Sequence, residues 1–270
     1  MSEPHVLDNP IRSSLLGPHA RLAVRHGSVL RYPPDVCPFI GLPDDPDDGA
    51  WADLATLVGP DATAAVSAPR IEPPPGWEVV HEIPGVQLVD AGVAAEPDPG
   101  AMVLGPSDVP EMLALVERTR PGPFLPRTVE MGTYLGIRHD GELVAMAGER
   151  LHPPGWTEIS AVCTDQRFRG RGLATRLVRA VAAGIRARGE TPMLHAAASN
   201  VGAIRLYESM GFTLRRHTRF AAAAGGRGGR LSAALTGRPR PRPGCGAARG
   251  RVRGARAASR AGRRPRRWPR

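Results

Sequence analysis

The stretch Arg167-Phe-Arg-Gly-Arg-Gly-Leu-Ala174 lies between a predicted strand and the start of a predicted long helix. A strand that turns tightly into a helix leaves several backbone N–H groups unpaired, and glycines let such a backbone approach a ligand closely. The helix dipole adds positive potential at the same point, where Arg169, Arg171 and Arg176 add charge. The stretch therefore predicts an anion site suited to a pyrophosphate.

A lone Gly-x-Gly turn also occurs in ordinary tight connections, and short glycine motifs match by chance. The surrounding pattern strengthens this one. Upstream, residues 134–138, 143–151 and 157–164 predict three consecutive strands of a meander, with a turn at His139-Asp-Gly141. Downstream, a second helix opens with Asn200. Together these features raise the glycine turn from a weak signal to a strong one.

Apolar residues from position 170 to 188 recur at helical spacing, and Gly189 follows where a C′ glycine would end a helix. Residues 193–197 and 213–220 predict strands, and residues 200–210 predict the second helix. Before the meander, residues 102–104 predict a short strand and Ser107 the cap of a helix that runs to about residue 118. The predicted order is strand, helix, three strands, helix, strand, helix, strand, which indicates an α/β (α+β) fold.

At these residues the chain resembles the GNAT superfamily of N-acetyltransferases. The superfamily motif Q/R-x-x-G-x-G/A is matched by Arg167, Gly170 and Gly172, and the pattern Asn-x-x-Ala-x-x-Leu-Tyr-x-x-x-Gly-Phe begins at Asn200. The closest likeness is to a bacterial branch with a Glu-Ile-Ser-Ala-Val-Cys-Thr strand before the motif. The resemblance covers about half of the chain. It implies a mixed, mostly antiparallel central sheet flanked by helices, with acetyl-CoA as co-substrate.

The resemblance also implies which residues hold acetyl-CoA. Part of one strand would pair through its backbone with the pantetheine arm, the glycine turn would cradle the pyrophosphate, and an asparagine side chain would hold the cofactor. The implied residues are Val162, Cys163, Thr164, Arg167, Arg169, Gly170, Arg171, Gly172, Leu173, Ala174 and Asn200.

Three residues are candidates for proton transfer. The resemblance implies that Tyr207 protonates the departing CoA thiolate, although an aromatic residue at this helix position also fits a core role. Glu158 and Glu149 are candidates for the general base, because each is an acid in an otherwise apolar strand. A solvated edge, or a bond to an arginine such as Arg150, explains either acid equally well. His195 is more typical of a satisfied core histidine, and the eight histidines form no metal-ligand pattern.

Composition divides the chain into three parts. Residues 1–95 predict an α+β segment, with a hairpin around His26-Gly27 and a helix at 50–58, and they resemble a degenerate GNAT-like lobe. The proline- and glycine-rich stretches at 72–76 and 95–100 predict turns or linkers that enclose a short strand-like segment. Residues 101–220 predict the acetyltransferase domain. Residues 221–270 hold 15 arginines and no acid, with few large apolar side chains, which predicts a disordered tail or a shifted reading frame. No final strand is visible after Phe220, so either the N-terminal half supplies the missing edge or the sheet ends there.

The formal charge of +10 comes from the tail, because residues 1–220 hold 21 basic and 26 acidic side chains. A polyanionic partner such as nucleic acid is therefore expected only through the tail. Three widely spaced cysteines suggest neither a disulfide framework nor a zinc site, and no leader or membrane span is apparent, which favours the cytoplasm. We expect an acetyl-CoA-dependent N-acetyltransferase acting on a primary amine of a small molecule, a peptide N-terminus or a lysine. The alternative is a non-catalytic acyl-CoA-binding module with a polyanion-binding tail. The oligomeric state does not follow from the sequence.

Overall fold

A computed structural model describes residues 5–59 and 62–225, which form one compact unit. Within these residues eleven strands form one sheet. In chain order they are β1 (Val24–His26), β2 (Val29–Arg31), β3 (Phe39–Gly41), β4 (Thr63–Ser67), β5 (Trp77–Asp90), β6 (Met102–Leu104), β7 (Tyr134–His139), β8 (Glu142–Glu149), β9 (Trp156–Thr164), β10 (Thr191–Ala197) and β11 (Phe212–Gly225).

Five α-helices flank the sheet within the same residues. They are α1 (Pro10–Leu16), α2 (Asp48–Val58), α3 (Val109–Thr119), α4 (Leu173–Ala187) and α5 (Val201–Ser209). None of them is long and apolar enough to cross a membrane. The predicted α/β class, with a mostly antiparallel sheet flanked by helices, is confirmed.

The strand order across the sheet is β1-β2-β3-β4-β11-β5-β10-β9-β8-β7-β6. Only the pairs β3/β4 and β9/β10 are parallel, and the other pairs are antiparallel. The predicted meander is β7-β8-β9, and its order along the chain matches its order in space. The N-terminal strands extend the same sheet at the far side of β11.

The strand β5 joins the two ends of the chain. The sequence predicted only a short strand-like segment here, but β5 has 14 residues and pairs with both β10 and β11. Pro84 and Gly85 interrupt its apolar pattern, and its first half is largely exposed, so sequence periodicity underestimates its length. The N-terminal half of the chain therefore supplies the strand that lies beside β10.

The strand β11 runs five residues into the segment predicted as tail. Ala221–Ala224 pair with β4 and with the start of β5, and all four are buried. A run of alanines has little intrinsic strand preference, so only pairing on both sides selects this conformation. Residues 226–270, the remainder of the predicted tail, lie outside the described residues.

The helix α4 builds the main core. Its apolar stripe of Leu177, Val178, Val181, Ala182 and Ile185 is almost completely buried against β8, β9 and β10. This stripe is the predicted 3.6-residue pattern. It holds the N-terminus of α4, which carries the glycine turn, against the end of β9.

The helix α3 packs through Met112 and Leu115 against the other side of the meander. It begins one residue later than the predicted Ser107 cap implies. A short 3₁₀ turn, Pro106–Asp108, comes first, and the Asp108 carboxylate accepts from the backbone N–H of Gly105. The predicted Ser107 cap is therefore wrong, because Asp108 occupies the N-cap position of α3 and no side chain among the described residues caps the first N–H groups of this helix.

A buried histidine links the N-terminal segment to the meander. His19 contacts the Tyr32 hydroxyl through Nδ1 (2.9 Å) and the Met131 carbonyl oxygen through Nε2 (2.9 Å), and its ring lies 4.7 Å from that of His152. Burial and, next, the charge of His152 lower the pKa of His19 to about 4. His19 is therefore neutral in the folded protein at neutral pH.

This pKa shift predicts acid sensitivity. The unfolded chain protonates His19 below its ordinary pKa of 6.5, whereas the folded chain does so only near 4. The free energy of unfolding should therefore fall as pH drops from 6.5 to 4, by about 3 kcal/mol from this residue. Urea unfolding across that range should show a shallower fall for His19→Gln. The exposed His139→Gln is the control, and an identical slope in wild type and His19→Gln would contradict the assignment.

Candidate active site

Two neighbouring strands separate at the centre of the sheet. β9 and β10 pair in parallel only at Trp156–Glu158 and Thr191–Met193. Beyond this point β9 stays paired with β8 and β10 stays paired with β5. A V-shaped opening therefore exposes backbone groups of β9 that have no strand partner on that side.

A bulge in β9 faces this opening. Met146 pairs with Cys163 and Gly148 with Ser160, so Ala161 and Val162 together oppose a single residue of β8. Ala161 has φ +51, a left-handed conformation that is uncommon for a residue other than glycine. Bulges of this kind bend a strand and redirect its polar backbone groups, here beside the opening.

The parted strands line one side of a cavity of about 900 Å³, which we call the groove. This volume lies within the usual range for small-molecule and cofactor sites. Most of the groove is lined by four parts of the fold, namely the second half of β9, the turn before α4, the start of α5 with the end of β10, and the loop after α3. Phe39, Ile83, Arg150 and Phe220 complete the lining.

The turn before α4 is shaped for an anion. Gly170 and Gly172 have φ +76 and +73, and a Cβ at either position would meet no atom within 4 Å. Both α-carbons therefore face open groove, where a side chain would occupy the space of a ligand. No side chain caps α4 at Gly172, so its first N–H groups remain available to a negatively charged ligand.

Most of the sequence-predicted cofactor residues line the groove. These are Val162, Cys163, Thr164, Arg169, Gly170, Gly172, Leu173, Ala174 and Asn200. Asn200 also caps α5, because its Oδ1 accepts from the N–H of Ala203 (3.2 Å). Its amide nitrogen is left to donate toward the groove.

Arg167 and Arg171 are not among the residues that line the groove. Arg167 donates to Asp165 (3.0 Å) and Glu142 (2.6 Å), so its side chain braces the turn from outside. Arg171 lies over the Phe168 ring, 5.0 Å from its centroid. Motif matching could not distinguish these two arginines from Arg169, because the direction of each side chain depends on the shape of the turn.

Tyr207 lies on the wall of the groove and is only 9% exposed. Burial and, next, the nearby Cys163 raise the pKa of Tyr207 to about 12. The phenol therefore keeps its proton at neutral pH and can donate it. Burial also raises the pKa of Cys163 to about 11, so this residue is a thiol and a poor nucleophile.

Glu158 is wholly buried at the point where β9 and β10 part. Its carboxylate accepts two hydrogen bonds from Arg150 (2.8 and 2.6 Å) and one from His195 Nδ1 (2.8 Å). Burial by itself would raise its pKa, but the charge and hydrogen bonds of Arg150 outweigh burial and hold the pKa of Glu158 well below its usual range. Glu158 is therefore ionised at neutral pH.

Glu149 is held by partners outside the groove. It accepts from Arg188 (2.9 Å), near the end of α4, and from the backbone N–H of Thr133 (3.1 Å). It lines neither the groove nor the second cavity described below. The two acids looked alike in sequence, but only Glu158 lies beside the opening.

Comparison with known proteins decides the family. The FR47-like protein family matches residues 134–221. A crystal structure of a putative acetyltransferase from the GNAT family of Novosphingobium aromaticivorans is 45% identical to the chain. It covers 82% of this chain and 99% of its own, with a TM-score of 0.75. The chain belongs to the GNAT family.

A GCN5-related N-acetyltransferase from Kribbella flavida shares the fold, with a TM-score of 0.53. It is 20% identical and covers 83% of this chain and 96% of its own. No curated protein sequence matches the chain. Membership of the GNAT family, together with the groove, supports an acyltransferase that uses an acyl-CoA donor.

Sequence reasoning missed a polar network behind the GNAT groove. His195 and Gln87 are cross-strand partners in β10 and β5, and their side-chain nitrogens lie 3.0 Å apart. Gln87 also donates to the Leu7 carbonyl oxygen and accepts from Arg215 (2.9 and 2.8 Å). This orientation makes the Gln87 amide a donor to His195 Nε2, which leaves Nδ1 to donate to Glu158. Polar residues in two apolar strands were the available signal, but their pairing depends on the register of β5.

Next to this network lies a second cavity of about 350 Å³. It meets the groove at four shared residues, Phe39, Arg150, His195 and Phe220. Its walls come from the N-terminal segment, β5 and β11. The GNAT groove therefore adjoins a smaller chamber formed largely by the N-terminal half of the chain and the final strand.

The buried Arg150–Glu158 pair should be important for stability. Glu158→Gln leaves the Arg150 charge uncompensated in the interior, which costs about 3–5 kcal/mol. Glu142→Gln is the matched control, because Glu142 is a half-exposed carboxylate that also pairs with arginine, and its loss should cost about 0–1 kcal/mol. Urea unfolding at pH 7 measures both. Equal effects would show that the Glu158 pair is not a buried ion pair.

Proposed function

We propose that the protein is an acetyl-CoA-dependent N-acetyltransferase that moves the acetyl group directly to a primary amine. One observation carries this proposal. The parted strands β9 and β10 form a groove that leads to a glycine turn at the N-terminus of α4. An unpaired strand edge suits the amide-bearing pantetheine arm, and the turn suits the pyrophosphate.

The proposed cofactor contacts follow the groove. The backbone of Val162–Thr164 would pair with pantetheine like an added strand, and Arg169–Ala174 would surround the pyrophosphate. The amide nitrogen of Asn200 would donate to the cofactor. Arg167 and Arg171 would support the turn rather than touch the cofactor, since their side chains bond to acids or stack outside the groove.

In the proposed reaction the amine nitrogen attacks the thioester carbonyl carbon. A carbon–nitrogen bond forms, the carbon–sulfur bond breaks, and Tyr207 gives its proton to the departing thiolate. The amine proton passes to Glu158, directly or through water. Glu158 is preferred to Glu149 because only Glu158 lines the chamber that adjoins the groove, although it does not line the groove itself.

Two acid–base properties support direct transfer with a mainly uncharged amine. The Cys163 thiol stays protonated well above neutral pH, which disfavours an acyl-cysteine intermediate. Because the pKa of Glu158 is lowered, this residue is a weak base. The supply of free amine should therefore set the rise in activity with pH.

The competing hypothesis is a non-catalytic acyl-CoA-binding module whose basic tail binds polyanions. The protonated phenol of Tyr207 in the groove favours catalysis, because binding alone does not need a proton donor there. Residues 226–270, the rest of the predicted tail, lie outside the described residues, so their structure does not help to choose between the two hypotheses. A truncation designed to test it should end after Gly225, because an earlier end removes buried residues of β11.

The glycine turn predicts a sharp loss of cofactor binding. Gly170→Glu and Gly172→Glu each place bulk and negative charge where the pyrophosphate would lie. Calorimetric titration of acetyl-CoA should show affinity at least about tenfold weaker than wild type, which is about 1.4 kcal/mol. Gly184→Glu, on the exposed face of the same helix, should bind like wild type. No acetyl-CoA binding by the folded wild type would rule out the proposed function.

Removing the Tyr207 hydroxyl should slow chemistry without weakening cofactor binding. Tyr207→Phe is expected to lower kcat by about 10²–10⁴-fold, the usual contribution of a positioned acid, and to leave the Kd for acetyl-CoA unchanged. CoA release in the presence of primary amines measures kcat. Tyr134→Phe is the control, since this buried hydroxyl has no hydrogen-bond partner among the described residues and lies outside the groove. A wild-type kcat in Tyr207→Phe would remove the tyrosine from the mechanism.

A further inference from the structure

The second cavity is lined by a buried polar cluster and by charged residues. Glu158, His195 and Gln87 form the polar cluster, in which His195 also lines the groove and bonds to the other two. Asp8, Arg216 and Arg219 are further wall residues, contributed by the N-terminal segment and β11. A ligand in this cavity would thus reach from the groove to a group of arginines.

An irregularity in β11 brings two consecutive arginines together. The pairing of β11 with β5 shifts register between Leu214 and Arg216, so Arg215 is the extra residue of a bulge. In a regular strand, neighbouring side chains point to opposite faces. Here Arg215 and Arg216 both donate to the same oxygen of Asp8, each at 2.8 Å.

The charges around the cavity do not balance at this point. Glu158 is paired with Arg150, and Glu82 lies 3.4 Å from Arg219. Asp8 alone faces two guanidinium groups. Burial would raise the pKa of Asp8, but hydrogen bonds from Arg215, His5 and Arg216 keep it below its ordinary value. One negative charge therefore meets two positive charges.

The unmatched charge belongs to Arg216. Arg215 is the less exposed of the two arginines (22% against 37%), it donates to Gln87 as well, and it does not line the cavity. Arg216 lines the cavity, and among the described residues its only carboxylate partner is Asp8. The Nη2 group of Arg216 makes no hydrogen bond to any described residue. A guanidinium in this state is a ready partner for a carboxylate or phosphate.

We propose that the second cavity is the acceptor site and that Arg216 binds an anionic group of the acceptor, so that the substrate is a small amine bearing a carboxylate or phosphate. This inference rests on the proposed acetyltransferase function. The amine end would lie beside Glu158 and the groove, and the anionic end beside Arg216. A cavity of about 350 Å³ suits a small molecule better than a folded protein surface.

The charge pattern also weighs against a purely cationic acceptor. Each carboxylate that lines the cavity already has an arginine partner, so no free negative charge is available to a second ammonium group. A polyamine or a lysine side chain would instead meet the surplus charge of Arg216. The local charge therefore favours an acceptor with an anionic group over a polyamine or a lysine side chain.

The test compares amines that differ only in the anionic group. The full-length protein with saturating acetyl-CoA is given L-phenylalanine against 2-phenylethylamine, glycine against methylamine, and O-phosphoethanolamine against ethanolamine. CoA release is measured at equal concentrations of free amine. We expect kcat/KM to be at least about tenfold higher for the anionic member of one pair, and the pair that responds distinguishes carboxylate from phosphate.

Variants connect this preference to Arg216. Arg216→Gln should raise KM for the preferred anionic amine at least about tenfold, leave kcat unchanged, and have no effect on the matching amine without the anion. Arg179→Gln is the control, since this partly exposed arginine lies on α4, outside both cavities, and pairs with Glu96. Circular dichroism confirms that both variants fold.

Three outcomes would overturn the proposed acceptor site. Equal or better turnover of the amines without an anionic group overturns it, as does a KM that Arg216→Gln leaves unchanged. No turnover of any pair, with acetyl-CoA binding intact, also overturns it while the cofactor site stands. Failure of the wild type to bind acetyl-CoA would instead remove the proposed function itself.

Discussion

The parting of β9 from β10 is the constraint on which the site depends. Three residues of each strand pair, and then β9 follows β8 while β10 follows β5. Each strand keeps a partner on its outer side, so the opening leaves unpaired backbone groups on the inner side only. Because buried backbone polar groups need partners, such an edge is stable beside a solvent-filled groove or a ligand that supplies the missing hydrogen bonds.

A buried polar chain crosses the molecule behind this opening. It runs from Arg150 through Glu158, His195 and Gln87 to Arg215. Charges buried without partners are costly, and here each hydrogen bond satisfies the next group in the chain. The network joins the final strand and the N-terminal segment to the point where the strands part. Residues 1–95 are therefore part of the site's construction, and their origin as a degenerate GNAT-like lobe stays a prediction.

Short sequence patterns predicted the elements that depend on residues close together in the chain. The helix predicted at 170–188 is Leu173–Ala187, and the predicted meander has the expected order. The glycine turn has the positive φ angles that its glycines suggested. By contrast, β5 was underestimated because Pro84 and Gly85 break its pattern. The end of β11 was assigned to the tail because alanines carry little strand preference, and only β4 and β5 on either side make that segment a strand.

The sequence by itself determined the family, the glycine turn and the candidate proton donor Tyr207, because these depend on residue types at short, fixed spacings. It could not choose between Glu149 and Glu158, since the side to which an acid turns is set by packing. Nor could it reveal that Asp8 meets Arg215 and Arg216, which lie about two hundred residues away. Only the tertiary structure decided these contacts, because the register of β5 with β11, and a bulge within it, determines which distant charges share a cavity.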